Sequence, residues 1–429
     1  MAKTTTGDAG ADEVQREVRT WLEANWNPEV SLRAWRELLA DSGWGSPTWP
    51  TQWHGRGLPV ALGDVVTEEF DRIGAVGVPQ GSGMTLAALT ILEHGSDDVK
   101  RRFLRPIITG EHTWCQLFSE PGSGSDLAGL TTRAEFDGEQ WVINGQKLWS
   151  TSAHHAQWGM LLARTNWDVS KHRGISYFAI EMQQPGVVVR PLRQMNGHAS
   201  FNEVFFNDAR VRAENQIGEV GNGWAVALTT LAHERRLADG LRSLGRSPKG
   251  RGRAMEEYRA EVAHLMEPYR WYPQRAGRPD LLLARAKESI ARTDAEVRQA
   301  TVKALSLART AEWTSRRAKA ARVLGKPPGP EGSLGKLAAS HVARASSHAH
   351  MLISGADAML SGADGPMGGL VAEILVSVPA VSIAGGTDEI QLNIISERVL
   401  GMPKDPQIDL ERAFRDVPKN QVQPPQARR

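Results

Sequence analysis

The chain has 429 residues, 51 basic against 49 acidic, for a net charge of +2. At 41% hydrophobic and 23% charged it has an ordinary globular composition, and it is too long for one core, so two or three packed bodies are expected. Balanced charge offers no global field for nucleic acid, and the lone Cys115 excludes a disulfide framework or a thiolate metal cluster. The N-terminal stretch MAKTTTGDAGADEVQ lacks the apolar segment of a secretory signal, and no run approaches eighteen apolar residues. The expectation is a cytoplasmic protein with no nucleic-acid partner, no integral membrane association and no metal.

From Asp12 to about Gly110 apolar residues recur at helical spacing. Val14, Val18, Trp21 and Leu22 share one helix face, as do Leu32, Trp35 and Leu39. Ser96-Asp97-Asp98 reads as a helix start whose acidic first turn suits the helix dipole. From about Cys115 to Val211 the period becomes two. Ala134-Glu135-Phe136 and Trp141-Val142-Ile143 flank Asp137-Gly138, a hairpin turn signal. Further runs at Met160–Ala163, Ile175–Ile180, Val187–Val189 and Val204–Phe206 predict a small antiparallel barrel or sandwich. Helices return from Gly223. Ile290, Val297, Ala304 and Ala308 predict one long helix ending before Gly325, and a second runs from about Glu331 to Leu360. Gly245 to Arg253 reads as a mobile loop and the tail from Val417 as disordered. Expected boundaries are 1–112, helical; 113–215, β; 216–416, helical; and a tail at 417–429.

Three segments carry candidate chemistry. In Gln116-Leu117-Phe118-Ser119-Glu120-Pro121-Gly122-Ser123-Gly124-Ser125-Asp126 an apolar strand enters a turn with two glycines and three hydroxyls. Such glycines let the backbone approach a flat or phosphorylated ligand, and Ser125 offers a hydroxyl; on the residues alone a plain strand-to-turn transition is the simpler reading. In Asn144-Gly145-Gln146-Lys147-Leu148-Trp149-Ser150-Thr151-Ser152, strand alternation puts Trp149 and Thr151 on one side, as a ligand wall or as core packing. In Ser382-Ile383-Ala384-Gly385-Gly386-Thr387-Asp388-Glu389-Ile390-Gln391, Thr387 is a natural N-cap. That helix start can hold a hydrogen-bond-accepting ligand edge, or be a well-capped helix and nothing more.

Together with Gly221-Asn222-Gly223-Trp224, these segments resemble the acyl-CoA dehydrogenase family over about residues 12 to 403. The resemblance implies an α+β multi-domain fold: an N-terminal helical domain, a middle antiparallel β-barrel domain and a C-terminal four-helix bundle. It implies FAD between the β domain and the bundle, touching a neighbouring subunit. The implied reaction is α,β-desaturation of an acyl-CoA thioester, with electrons passed to an electron-transfer flavoprotein. By the same resemblance Phe118, Ser119, Gly124 and Ser125 contact the flavin or acyl-CoA, Trp149 and Thr151 flank the isoalloxazine, and Thr387 and Glu389 meet FAD from the last helix. Ser125, Arg235, Gly385 and Gly386 fall on the substrate side.

The chemistry needs a carboxylate beside the thioester's α carbon, because that proton is only weakly acidic. Many family members carry this glutamate just before the Gly-Thr of the last motif, where this chain has Gly385. A subgroup resembling the isovaleryl and long-chain enzymes carries it earlier, in a Glu-Arg pair after the Gly-x-Gly motif. Glu234-Arg235 matches that place, so Glu234 is assigned as the base. Without the resemblance, Glu234 among His233, Arg235 and Arg236 is a solvated surface charge.

The chain also departs from the family pattern. The Arg-x-x-Phe-Gly motif, whose Arg meets FAD pyrophosphate across the subunit interface, is missing from Arg270 to Pro279, where Arg275 or Arg278 can substitute. The Gln-x-x-Gly-Gly motif is degraded to Leu352-Ile353-Ser354-Gly355-Ala356. These losses fit either self-association or assembly with a paralogous subunit that shares the flavin site. A related flavin oxidase or monooxygenase is the remaining alternative. The basic run Arg246, Lys249, Arg251 and Arg253 reads as a solvated linker, or as a contact to CoA phosphates.

Overall fold

The computed structural model describes residues 6–240, 250–323, 329, 331–404, 406, 409 and 411–418, without the side chains of 6–9, 235–240, 322–323 and 331. The chain divides into two compact units: Met1–Leu192 with Phe201–Glu267 and Gln407–Arg429, and Arg193–Ser200 with Pro268–Pro406.

The first unit opens with α1 (Thr6–Asn25), α2 (Leu32–Ser42), α3 (Gly63–Ile73), α4 (Ala88–His94) and α5 (Asp97–Thr109). The expected apolar faces are buried: Val14, Val18, Leu22, Leu32, Trp35 and Leu39 form one core with Val66 and Phe70. Ser96 caps α5, accepting from Val99 N at 3.2 Å. A π-helical turn, Gly83–Ala87, leads into α4.

The strands are β1 (Trp114–Leu117), β2 (Arg133–Phe136), β3 (Gln140–Thr151), β4 (Trp158–Arg164), β5 (Ile175–Glu181), β6 (Val187–Leu192) and β7 (Phe201–Arg212). They form one sheet in the order β1-β4-β2-β3-β7-β6, with β5 also on β4. Asp137-Gly138 makes the expected hairpin between β2 and β3, Asp137 Oδ1 accepting from Gln140 N at 2.9 Å. The ladder is antiparallel except where β1 and β2 meet β4, which run parallel. β1 leaves through a long loop rather than a hairpin, so nothing forces it to reverse. One sheet face buries Cys115, Leu117, Ile143, Phe178 and Phe206. The other buries Trp114, Phe118, Met160 and Tyr177 against α4 and α5.

Two helices that the sequence groups with the C-terminal bundle cluster with this unit: α6 (Gly223–Gly240) and α7 (Arg253–Met266). Val226 and Ala227 of α6 enter the core behind β1 and β5. Met255, Tyr258 and Val262 of α7 join the core of α1–α3, and Arg36 grips Glu261 at 2.6 and 2.8 Å. Residues 245–249 of the basic segment lie outside the described residues, and Arg253 begins α7, paired with Glu257 at 2.7 Å.

The chain's end returns to the same unit. Phe414 N donates to Val169 O at 2.8 Å and Arg415 N to Trp167 O at 3.0 Å. The Phe414 ring lies 3.4 Å from the buried Arg164 guanidinium, which also donates to Leu130 O and Ala128 O. Burial pulls that guanidinium down to about 10. Lys171 bridges Asp126 and Asp409 at 3.1 and 2.7 Å. Of the tail expected to be disordered, residues 419–429 lie outside the described residues.

The second unit holds α8 (Tyr272–Arg275), α9 (Pro279–Glu288), α10 (Ala295–Val323), α11 (Glu331–Ser354), α12 (Leu370–Ser377), α13 (Pro379–Ile383) and α14 (Asp388–Arg398). Small residues let its helices approach: Leu282, Ala304 and Ala349 make one core, and Ala343, Ile374 and Val378 another. Ile290, expected inside the long helix, stands outside it and 97% exposed, because Asp294 caps α10 by accepting from Glu296 N at 2.7 Å. The stretch Leu370–Arg398 contains an 18-residue window with a mean hydropathy of 1.7, apolar enough by length and composition to cross a membrane, which a count of uninterrupted apolar residues passes over. Pro379 and the left-handed Gly385 and Gly386 divide it into α12, α13 and α14.

Candidate functional site

In the first unit, β1 delivers the Ser119–Asp126 loop, and β3 ties down its base. Leu148 N donates to Ser119 O at 2.8 Å, so the loop and the Trp149 segment lie side by side. Lys147, fully buried, reaches back to Phe118 O at 3.0 Å and to Glu120 Oε1 at 2.8 Å. Glu120 also accepts from Thr131 N, Thr131 Oγ1 and Thr132 N at 2.7, 2.9 and 2.8 Å. Burial alone would raise this carboxyl, but the Lys147 charge and these hydrogen bonds hold it down at about 2. Burial lowers the Lys147 ammonium from the ordinary lysine value, against the pull of Glu120.

The loop tip has the opposite character. Gly124 and Ser125 are exposed, and a Cβ added at Gly122 or Gly124 would meet nothing within 4 Å. Neither glycine has a positive φ. The loop's own fold therefore does not require glycine at either position.

Phe118 is a core residue, 4% exposed, with its ring edge-on to Tyr177 at 5.8 Å. Trp149 sits at a β-bulge between Lys147 and Ser150 with φ +62, a costly conformation for a bulky side chain. The bulge interrupts the alternation from which Trp149 and Thr151 were expected to share a side. Both nonetheless adjoin Phe201: the Trp149 ring is 5.6 Å from it, edge-on, and Thr151 is its ladder partner. Trp149 is 52% exposed. Next to it Ser150 Oγ is buried without a hydrogen-bond partner among the described residues.

Glu234 lies on α6, half-buried, where it accepts from Gln116 Nε2 of β1 at 3.3 Å. Its neighbour His233 is buried and meets Glu93 at 3.0 Å. The side chain of Arg235 lies outside the described residues.

The second unit carries the other predicted residues. Thr387 caps α14, accepting from Ile390 N at 3.3 Å. Gly385 and Gly386 have φ +69 and +83, and Gln391 Nε2 donates to both carbonyls. Glu389 projects from the first turn, and backbone hydrogen bonding there lowers its carboxyl from the ordinary value. Asp388 turns inward to Ser340 Oγ at 2.6 Å and Lys336 at 3.3 Å. Arg278 is engaged by Asp280 at 2.8 Å, and Arg275 lies over the Tyr272 ring at 5.0 Å. Of the two, Arg275 is the better placed to turn to a phosphate, since Arg278 would have to release its carboxylate.

Sequence reasoning gave no role to Glu120, Lys147 or Gln116. A lysine at an inward strand position was a readable signal, because a buried ammonium demands an acid.

Family models match the chain along most of its length: acyl-CoA dehydrogenase N-terminal domain at residues 1–111, middle domain at 115–209 and C-terminal domain at 281–400. The chain belongs to the acyl-CoA dehydrogenase family. It is 34% identical to acyl-CoA dehydrogenase IpdE1 of Mycobacterium tuberculosis over 415 residues, 92% of this chain and 98% of that one. Among solved structures it matches the ChsE4-ChsE5 complex from Mycobacterium tuberculosis with a TM-score of 0.58 at 24% identity, over 94% of this chain and 100% of that one. A glutaryl-coenzyme A dehydrogenase bound to glutaryl-CoA matches with a TM-score of 0.58 at 22% identity, over 96% and 99%. These last two likenesses are of fold.

Proposed function

We propose that the chain is an FAD-dependent acyl-CoA dehydrogenase with Glu234 as its base. What supports Glu234 is its position: a half-buried carboxylate behind β1, in a chain whose alternative base position is Gly385. Glu234 removes the proton from the carbon α to the thioester carbonyl. Bound FAD would supply the acceptor for the hydride leaving the β carbon, and an electron-transfer flavoprotein would take the electrons onward.

The residues present suit a flat ligand rich in hydrogen-bonding groups. Gly122 and Gly124 leave the backbone open, Ser150 Oγ is a buried hydroxyl with no partner among the described residues, and Trp149 is held outward by strained backbone. In this reading Ser119, Gly124, Ser125, Trp149 and Thr151 hold FAD or acyl-CoA, with Phe118 supporting the loop from the core. Thr387, Glu389 and Arg275 are further proposed FAD contacts, and Gly385 and Gly386 substrate contacts.

Glu234→Gln should retain FAD yet reduce it roughly 10²–10⁴-fold more slowly with the acyl-CoA that bleaches the parent fastest in a panel of straight, branched and polycyclic thioesters. Undiminished reduction by this variant would remove Glu234 from the chemistry.

A second reading, a subunit that completes its flavin site with a paralogue, is favoured by Arg278 being tied to Asp280. Flavin content of the chain purified alone against co-expressed chains separates the two.

A further inference from the structure

We propose that Gln116 is a positioning residue for Glu234: its side-chain amide holds the base's carboxylate ionised and aimed. The proposal rests on Glu234 being the base. Gln116 occupies the middle of a row whose other members, Trp114 and Phe118, are buried aromatics of the same sheet face. Packing alone would put a third apolar side chain there. Its amide instead donates to Glu234 Oε2 at 3.3 Å.

Both ends of this contact are fixed. Gln116 is held by its parallel ladder to Met160, which is fully buried. On α6, Val226 and Thr230 stand two and one turns before Glu234 on the same face, and both are fully buried. Thr230 Oγ1 is locked to Thr90 Oγ1 at 2.9 Å and to Tyr177 OH at 3.1 Å. The π-helical turn Gly83–Ala87 packs against both β1 and α6, and such turns often mark working sites. Among the described residues, three other titratable groups near this part of α6 have their own partners. His233 meets Glu93, His94 meets Thr229 Oγ1 at 2.8 Å, and Tyr177 meets Thr230.

An amide suits the task. It stabilises the charged carboxylate through a charge-assisted hydrogen bond, yet adds no full positive charge, which would make the carboxylate too weak a base. Replacing it should therefore move Glu234 in opposite directions. Gln116→Leu removes the donor and Gln116→Lys adds a cation. The test uses the full-length FAD-loaded chain labelled with [δ-¹³C]glutamate. The Glu234 resonance is identified by its loss in Glu234→Gln, and its titration is followed without substrate. The acid limb of flavin reduction is followed alongside.

Both midpoints should rise by about one unit in Gln116→Leu and fall in Gln116→Lys, with FAD content unchanged and reduction roughly tenfold slower in the former. A Glu234 midpoint that stays put in both variants overturns the proposal even if Glu234→Gln is inactive. If the midpoint moves while Glu234→Gln still reduces flavin, Gln116 does bind the carboxylate and the assignment of the base is what fails. Should Gln116→Leu lose its fold, Gln116→Met keeps the length without the donor and reads the same shift.

Discussion

The ion pair under the glycine loop should be a large local contributor to stability, and it can be tested by a double-mutant cycle. Lys147 is fully buried and Glu120 nearly so, so removing either partner leaves a charge in a site poor in water. Breaking a buried pair typically costs about 3–5 kcal/mol. Lys147→Met should lie near the lower end, because Glu120 keeps its hydrogen bonds from Thr131 N, Thr131 Oγ1 and Thr132 N. Glu120→Gln leaves the ammonium with Phe118 O and a neutral amide, and should cost at least as much. At roughly 2–4 °C per kcal/mol for a large domain, either change should lower the first unit's unfolding midpoint by about 10 °C. The double variant should recover much of this, with a coupling of roughly 2–3 kcal/mol. Circular dichroism melts of the four proteins measure the cycle. Single-variant costs below about 1 kcal/mol, or costs that merely add, would show that the pair does not secure the loop.

Acid should weaken the same contact. The Glu120 carboxyl is held at about 2, below its ordinary 4.5, so its contribution is complete above the ordinary value and fades as pH falls from there towards 2. The gap in melting temperature between the parent and Lys147→Met should narrow over that window, and a gap independent of pH would contradict it. Thr387→Ala removes the cap of α14 and should cost the second unit about 1 kcal/mol in a urea melt; no change would mean that Ile390 N finds another acceptor. Gly385→Glu in a Glu234→Gln background should not restore flavin reduction. A Cβ would meet nothing within 4 Å, but φ +69 costs a non-glycine residue roughly 1 kcal/mol or more and misdirects the side chain. Recovered bleaching in that double variant would refute this.

The order of helices, sheet and helices was legible because hydrophobic period and turn chemistry agree there. Asp137-Gly138 and Ser96 each became the turn and cap their residue types favour. Ile290 was misassigned because it is apolar and keeps the period, while Asp294, four residues on, decides where α10 begins. The parallel pairing of β1 with β4 was not legible, since it is set by which strand edge is open rather than by anything in Trp114–Leu117. In the candidate site, the glycine loop and Glu234 could be singled out by motif. The partnerships of Glu120 with Lys147 and of Gln116 with Glu234 join residues 27 and 118 positions apart, and no local pattern encodes them.

The return of the chain's end to the β domain has a consequence in time. Lys171 takes one carboxylate from the glycine loop and the other from Asp409, and the buried Arg164 beneath that loop is roofed by Phe414. During synthesis the loop and its strands leave the ribosome long before these last residues do. Until they arrive, Arg164 has an open, wet side, and Lys171 holds the loop with one ion pair instead of two. The glycine loop is thus among the earlier parts of the chain to be made and waits for Asp409 and Phe414 to complete its outer contacts, and a chain halted before them would keep the Lys147–Glu120 tie at the loop's base but leave Lys171 and Arg164 each short of a partner.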